Sequence, residues 1–557
     1  MKQVLIILFS VLISLKTSGQ IKDLVPDFVP AEFLTNPLQE ANIGRITFMA
    51  SNIPLNVYKE EDFLSTFELS RKNSLNIRVF MANSVTNYLH PLAPELPLEK
   101  LVQSGNLQFT FFVDGKLIYQ ENIHHGCNFG SSVNKNSATS FRVPLTSTTG
   151  EDWWSMYMWD RFKLNGGDKA LTEGKHQLKI VLKPYVRLSD YDLRVGEIIA
   201  QGRIELVIKT PVITKEEIAI QPIAPNSDWE ISKAKYDTKK IEALNTAIAK
   251  YELKEITSIV VIKDHKLLLE EYFNDANRST LHDPRSAGKS FTSTMMGIAI
   301  KDGYINNEDQ PLKAFYDLKK FANYAESKEQ ITLKNLLTMS SAFEGSDADG
   351  DSPGNEENMY PSDNWVKFTL DLPLDARKKN GVQWDYFTAG VVLMGDILNK
   401  TVPEGLEKYT DKKLFKPLNI TKYQWQYTPQ NVANTAGSLQ MRTIDYAKYA
   451  QLYKNNGQWH GKQIIPADWV AKTLTKQIQI PERDNEYYSY LFWNKTFQVA
   501  GKNYEAFYCA GNGGNQFIIF KDLPIVIIIT AKAYNKPYAH PQSETIVREY
   551  ILPAVLK

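Results

Sequence analysis

Hydrophobic and polar residues alternate through the first two hundred positions in the manner of half-buried strands. In LQFTFFVDGKLIYQ, Leu107, Phe109, Phe111 and Val113 alternate with their neighbours, and Asp114-Gly115 supplies a hairpin turn. HQLKIVL repeats the pattern at Leu178, Ile180 and Leu182, and GRIELVIK at Ile204, Leu206 and Ile208. With RITFMAS, LNIRVFMA and TSFRVPL these make about seven strands over 21–209. No helical pattern interrupts them, so this half is expected to be an all-β, immunoglobulin-like sandwich.

Residues 210–228, TPVITKEEIAIQPIAPNSD with its flanks, are rich in proline and polar side chains and read as a linker. The period changes after it. SIVVIKDHKLLLEEYF is a hairpin turning at Asp264-His265. ITLKNLLTM (331–339), AGVVLMGDIL (389–398) and TIDYAKYAQLY (443–453) carry apolar residues at helical spacing. NQFIIF and IVIIITA return to strands, and SETIVREYILPAVL closes as a helix with an apolar face. This order predicts an α+β domain over 229–557, an antiparallel sheet with helices segregated onto it.

Composition narrows the class. A 557-residue chain that is 43% hydrophobic and 23% charged is globular and long enough for two cores. Its N-terminus has Lys2, an apolar run from Val4 to Leu15 and then Thr17, Ser18 and Gly19. That is the pattern of a secretory signal cleaved near Gly19–Gln20, and no later run is long enough to span a bilayer. Loss of 1–19 removes Lys2 and Lys16 from 64 basic residues and none of the 63 acidic ones, turning the net charge from +1 to −1. Neither value recruits nucleic acid or an anionic membrane. The protein is therefore expected to be exported, periplasmic or secreted. Cys127 and Cys509 are expected to be separate thiols.

The candidate chemistry lies in DPRSAGKSFTSTMM (283–296). Asp283 and Pro284 make a helix start, Ser286 falls in the first turn, and Lys289 at i+3 shares its face. Helix-terminal amides favour negative charge developing on the serine oxygen, and a lysine amine placed there is a base for the hydroxyl proton. The spacing is not distinctive, since it recurs as Ser132…Lys135 and Ser232…Lys235.

Its surroundings are more specific. SAGKSFTSTMMGIAIKDGYI, ITLKNLLTMSSAFEG, SDNWVKFTLDLPL, VQWDYFTAGVVLMGDIL, AGSLQMRTIDYAKYAQLYKNNGQWHGKQIIPADWV and FYCAGNGGNQFIIF follow one another in sequence. In that order they resemble the class C β-lactamase and penicillin-binding-protein-like serine hydrolases over about 230–557. The resemblance implies an antiparallel sheet with helices on both faces plus a helical subdomain, and no metal or organic cofactor. It makes Ser286 the nucleophile, Lys289 its base and Tyr386 the proton-shuttling tyrosine. Tyr453-Lys454-Asn455 also fits the tyrosine motif as a string, but its place at a helix end reads as surface. Asn512-Gly513-Gly514 takes the place of the Lys-Thr-Gly strand, the amide of Asn515 joins that of Ser286 as oxyanion donor, and Thr388 takes the place of a substrate-holding asparagine. Two departures matter. Thr388 replaces the asparagine that holds the substrate's acyl side chain, and Asn512 replaces the lysine that attracts its carboxylate, which removes the main charge anchor. The expected activity is ester or amide hydrolysis through a Ser286 acyl-enzyme, with poor turnover of β-lactams. The alternatives are a cell-wall peptidase acting on D-amino-acid peptides and a non-catalytic binding protein on the same scaffold.

Rival signals are weaker. The chain has no Gly-x-Ser-x-Gly elbow and no His-Glu-x-x-His. His124-His125 beside Cys127 fits no common metal spacing and reads as a surface turn. Asp347, Asp349 and Asp351 stand in calcium-loop order, but Ser352 occupies the glycine position, and a solvated loop is expected. The aromatic run DWWSMYMWDRF (152–162) is assigned to core or interdomain packing. A partner for the N-terminal domain is not identifiable.

Overall fold

The computed structural model describes residues 26–32, 37–51, 53–54, 57–70, 73–127, 134–147, 154–189, 191–209, 212–224 and 229–556. The signal-like segment 1–19 and Ser132 lie outside these residues. The chain divides into two compact units, 1–212 and 213–557.

In the first unit all seven strands read from the sequence form, with two short ones added. β1 (Ile46–Met49), β3 (Leu75–Phe80) and β6 (Ser140–Thr146) make a three-stranded antiparallel sheet in the order β1-β3-β6. β2 (Thr66–Leu69), β4 (Gly105–Val113), β5 (Lys116–Asn122), β7 (Gly174–Ser189) and β9 (Ala200–Ile208) make a second, ordered β2-β9-β7-β4-β5, with β8 (Asp192–Val195) beside β7. The β2–β9 pair is parallel, the rest antiparallel. Asp114 and Gly115 turn the β4–β5 hairpin with φ of 50° and 79°. Ile77, Val79, Phe141 and Val143 of the first sheet share one core with Phe109, Phe111, Ile180 and Leu182 of the second.

Helices do interrupt these strands, contrary to the reading of the pattern. The aromatic run is one of them: Trp154–Phe162 is a helix that buries Ser155, Met158, Trp159 and Phe162. Their i, i+3, i+4, i+7 spacing is helical, and the wealth of aromatic residues masked it.

The second unit begins within the expected linker. Thr214 caps the short helix Lys215–Ile218 in a capping box with Glu217. The Gln221 side chain then bonds both backbone groups of Tyr272, donating to its carbonyl at 2.7 Å and accepting from its amide at 3.1 Å. Ile220 and Ile223 are half-buried against the core. Proline and charge made this segment read as a tether, although its isoleucines were enough to dock it.

The sheet of this unit has eight strands. β10 (Ile256–Lys263) and β11 (Lys266–Tyr272) form the predicted hairpin, with Asp264 and His265 both at positive φ. β12 (Ile478–Gln479), β13 (Tyr487–Tyr488), β14 (Trp493–Val499), β15 (Lys502–Gly511), β16 (Asn515–Phe520) and β17 (Ile525–Ala531) follow, and the antiparallel order is β11-β10-β17-β16-β15-β14-β13-β12. Period-two alternation sorts its faces. Val260, Ile262, Val526 and Ile528 face the helical region that carries the helix Lys289–Lys301. Ile259, Val261, Ile527 and Ile529 face the helix Thr238–Ala249 and the C-terminal helical segment 539–555. Helices therefore cover both faces of the sheet, and two of its strands, β15 and β16, pack against the nucleophile's turn.

Candidate active site

The helix expected to start at Pro284 begins instead as a tight 3-10 turn, Arg285–Gly288, followed by the α-helix Lys289–Lys301. Asp283 does cap, its Oδ1 accepting from the Arg285 amide at 2.8 Å. Arg285 takes a left-handed φ of 50°, which lifts the next residue, Ser286, out of the helical path. Residues 289–299 are buried throughout. Behind them, Thr294 Oγ1 lies 2.8 Å from the hydroxyls of both Tyr449 and Tyr453. Tyr453, read as surface, is 1% exposed and belongs to this packing.

Lys289 is 1% exposed, and its Nζ donates to Ser286 Oγ at 2.7 Å and to the Ala436 carbonyl at 2.8 Å. Both acceptors are neutral, so the amine is fixed in direction without being tied up by a carboxylate. Ala436 was not singled out in the sequence, because a backbone acceptor leaves no mark on residue type. The Lys289 Nζ also sits 5.3 Å from the centre of the Tyr386 ring. Burial raises the Tyr386 phenol above its ordinary range, while Lys289 and Ser286 pull it down. The phenol is therefore protonated at rest, with both groups it is expected to serve beside it. Its ring stacks on Trp493 with centroids 5.7 Å apart, and Trp384 packs on Trp493 at 5.6 Å. These half-buried rings give the site a flat apolar side.

The remaining expected residues are arranged differently. Asn512, Gly513 and Gly514 form the turn between β15 and β16, with φ of 92° at each glycine. Gly513 packs on Tyr534, and the Gly514 carbonyl accepts from Ser543 Oγ at 2.7 Å. The glycines thus serve the turn and its packing. Asn515 is 0% exposed; its side chain donates to the Asn512 carbonyl at 2.8 Å and accepts from the Ala531 amide at 3.1 Å. An amide so enclosed is out of a substrate's reach. Thr388, also 0% exposed, opens the helix Thr388–Thr401 and gives its amide to Asp347 Oδ2 at 2.8 Å. Its hydroxyl likewise cannot meet a substrate.

The strand backbone that passes against the nucleophile is Gly511. A Cβ there would lie 1.9 Å from the Pro284 carbonyl oxygen and 3.0 Å from the Ala287 amide nitrogen, so only glycine allows the approach. The next residue, Asn512, is exposed, and its side chain is held by Asn535 through bonds of 2.6 and 2.7 Å. Among the described residues, the backbone N–H groups of Ser286 and Asn512 have no hydrogen-bond partner. Two free amides at the serine's turn are a ready receptor for an oxyanion. Register hid this: the string Asn-Gly-Gly looked like the motif, while the close approach is one residue earlier.

Asp347 shares one loop with Asp349 and Asp351, which are exposed, but its carboxylate points away from them. It turns inward and gives both carboxylate oxygens to backbone amides. Cys127 and Cys509 are not joined in a disulfide, and burial pushes the Cys509 thiol up to about 12.

The sequence matches the Beta-lactamase family model over residues 256–548, more than half of the chain. The protein belongs to the Beta-lactamase family. Members of this family share a serine-hydrolase fold, and all the residues placed around Ser286 fall within the matched segment. Protein flp of Staphylococcus aureus (strain N315) is 24% identical over 179 residues, 31% of this chain and 35% of that protein, so the match spans about a third of the relative's length. Among solved structures, the octameric penicillin-binding protein homologue from Pyrococcus abyssi is similar at 18% identity and a TM-score of 0.43, covering 56% of this chain and 76% of that one. Simvastatin synthase (LovD) from Aspergillus terreus is similar at 14% identity and a TM-score of 0.45, covering 57% and 97%. No helix among the described residues of this Beta-lactamase family member is long and apolar enough to cross a membrane.

Proposed function

We propose that the protein is an exported serine hydrolase that cleaves an ester or amide through an acyl-enzyme on Ser286. The 2.7 Å contact between Lys289 Nζ and Ser286 Oγ, with the amine's second bond made to the Ala436 carbonyl, carries this reading. Ser286 Oγ attacks the acyl carbon as its proton passes to the Lys289 amine. The carbonyl oxygen becomes an oxyanion, received by the amides of Ser286 and Asn512. The proton then moves to the leaving group by way of the Tyr386 hydroxyl, the carbon–heteroatom bond breaks, and water repeats the sequence to release the acid.

The substrate class follows from what surrounds the serine. Asn512, beside the nucleophile's turn, is neutral, and its side chain is latched to Asn535. Trp384, Tyr386 and Trp493 offer apolar ring faces instead. Esters or amides with a flat or apolar group and no obligatory carboxylate suit such a site. The test is a panel of esters and amides on wild type and Ser286→Ala, together with fluorophosphonate labelling located by mass spectrometry. Label on Ser286 and ester turnover that vanishes in the variant are expected. Rapid hydrolysis of a chromogenic cephalosporin would reassign the enzyme to β-lactams, and a folded wild type that neither labels nor turns over would make it a binding protein.

A further inference from the structure

The catalytic tyrosine depends on how the three residues Tyr386, Phe387 and Thr388 are held, and one residue outside the matched motifs holds them from both ends, by its backbone at one and its side chain at the other. Asp347 donates its backbone N–H to the Tyr386 carbonyl at 2.8 Å. Its Oδ2 accepts from the Thr388 amide at 2.8 Å, and its Oδ1 accepts from the Glu356 amide at 3.0 Å. The first two bonds close a ring around Phe387, and the third joins that ring to the short helix Glu356–Met359. A carboxylate serving two helix-terminal amides is a strong, charge-assisted clamp.

We propose that Asp347 is a positioning residue for Tyr386, fixing its backbone and setting the charge that its phenol and Lys289 experience. The proposal goes beyond the hydrolase reading and rests on it only where turnover is the readout. The Tyr386 phenol feels the charge of Asp347, and Asp347 feels that of Lys289 from the nucleophile helix. The other groups facing it are Glu356 and Tyr360 of the neighbouring helical segment and Thr388. Burial, then Glu356, push the Asp347 carboxyl up to about 6, against the pull of Thr388 and Lys289. Its charge is therefore present at neutral pH and is lost in mildly acid solution.

Two measurements on Asp347→Asn test this. The substitution is isosteric and keeps one acceptor oxygen. With ester substrate, kcat should fall by about ten- to a hundredfold, the cost of a slightly misplaced catalytic group, while KM stays within about twofold because uniform binding is untouched. Independently of turnover, a tyrosine 13Cζ spectrum of the wild type, with Tyr386 assigned by Tyr386→Phe, should show a step near pH 6 as Asp347 titrates. That step should be absent in Asp347→Asn. A missing step in the wild type, or one that persists in the variant, overturns the proposal whether or not the enzyme is active. An unchanged kcat overturns it as well. A wild type inert to esters and fluorophosphonate sinks the hydrolase reading alone, since the spectrum still decides the role of Asp347.

Discussion

Lys289 Nζ lies 2.7 Å from Ser286 Oγ and is 1% exposed, with the Ala436 carbonyl as its second acceptor. Removing the amine should leave the hydroxyl in place without its base. Lys289→Ala is expected to lower kcat for the best ester by about 10²–10⁴-fold, and Ser286→Ala to reduce it to the background rate. Initial-rate kinetics on the two purified variants, with circular dichroism to confirm folding, checks both.

Tyr386→Phe keeps the ring on Trp493 and removes only the hydroxyl. The apolar side of the site is preserved, so KM should change little. Proton transfer to the leaving group is lost, and kcat should fall by about 10²–10⁴-fold. Comparing phenyl esters with alkyl amides sharpens the measurement, because a good leaving group needs the proton less and should be rescued in part.

Gly511→Ala puts a methyl group 1.9 Å from the Pro284 carbonyl oxygen, where nothing flexible can yield. The turn bearing Ser286 must then move away from β15 and the Asn512 amide. A stability loss of about 1–3 kcal/mol is expected from overpacking, together with a fall in kcat of about 10²-fold or more as the oxyanion donor is misplaced. Chemical denaturation and ester turnover read the two effects separately. Gly511→Ala with wild-type turnover would rule out this strand as the oxyanion wall.

Glu271 predicts a pH effect on folding. It is 0% exposed, and burial raises its carboxyl from 4.5 to about 7 against the pull of the Gln221 amide and the Asn245 side chain. The unfolded chain ionises above 4.5 and the folded one only near 7, so stability present at pH 4 falls as pH rises through that window and stays lost above it. The difference is on the order of 3 kcal/mol. Urea unfolding at pH 5 and pH 8.5 should show this decline in the wild type and much less of it in Glu271→Gln.

Much of the architecture was legible because it depends on local periodicity. The strand Leu107–Val113 with its Asp114-Gly115 turn, the hairpin at Asp264-His265 and the helix Thr388–Thr401 each carry their own pattern, and each formed where that pattern lies. The helix Trp154–Phe162 was missed because its aromatic residues suit strands as well, and only the sheet it covers decides which face they bury. The docking of residues 215–223 was hidden for a similar reason, since Gln221 gains its partner only when β11 presents an open edge.

The same division holds within the site. By itself the sequence determined that Ser286 and Lys289 share one face, because three residues along a helical turn bring two side chains together wherever the turn sits. It also pointed to Tyr386, whose ring stands beside Lys289. Tertiary structure alone decided that the Ala436 carbonyl orients the amine, that Gly511 rather than the following glycines touches the nucleophile's turn, that Asn515 and Thr388 are sealed from substrate, and that Asp347 braces the tyrosine. These choices are made by backbone atoms and by which point of a strand comes to rest against a distant turn. Backbone groups are the same in every residue, so the amino-acid string carries no sign of which of them will be left free beside a serine.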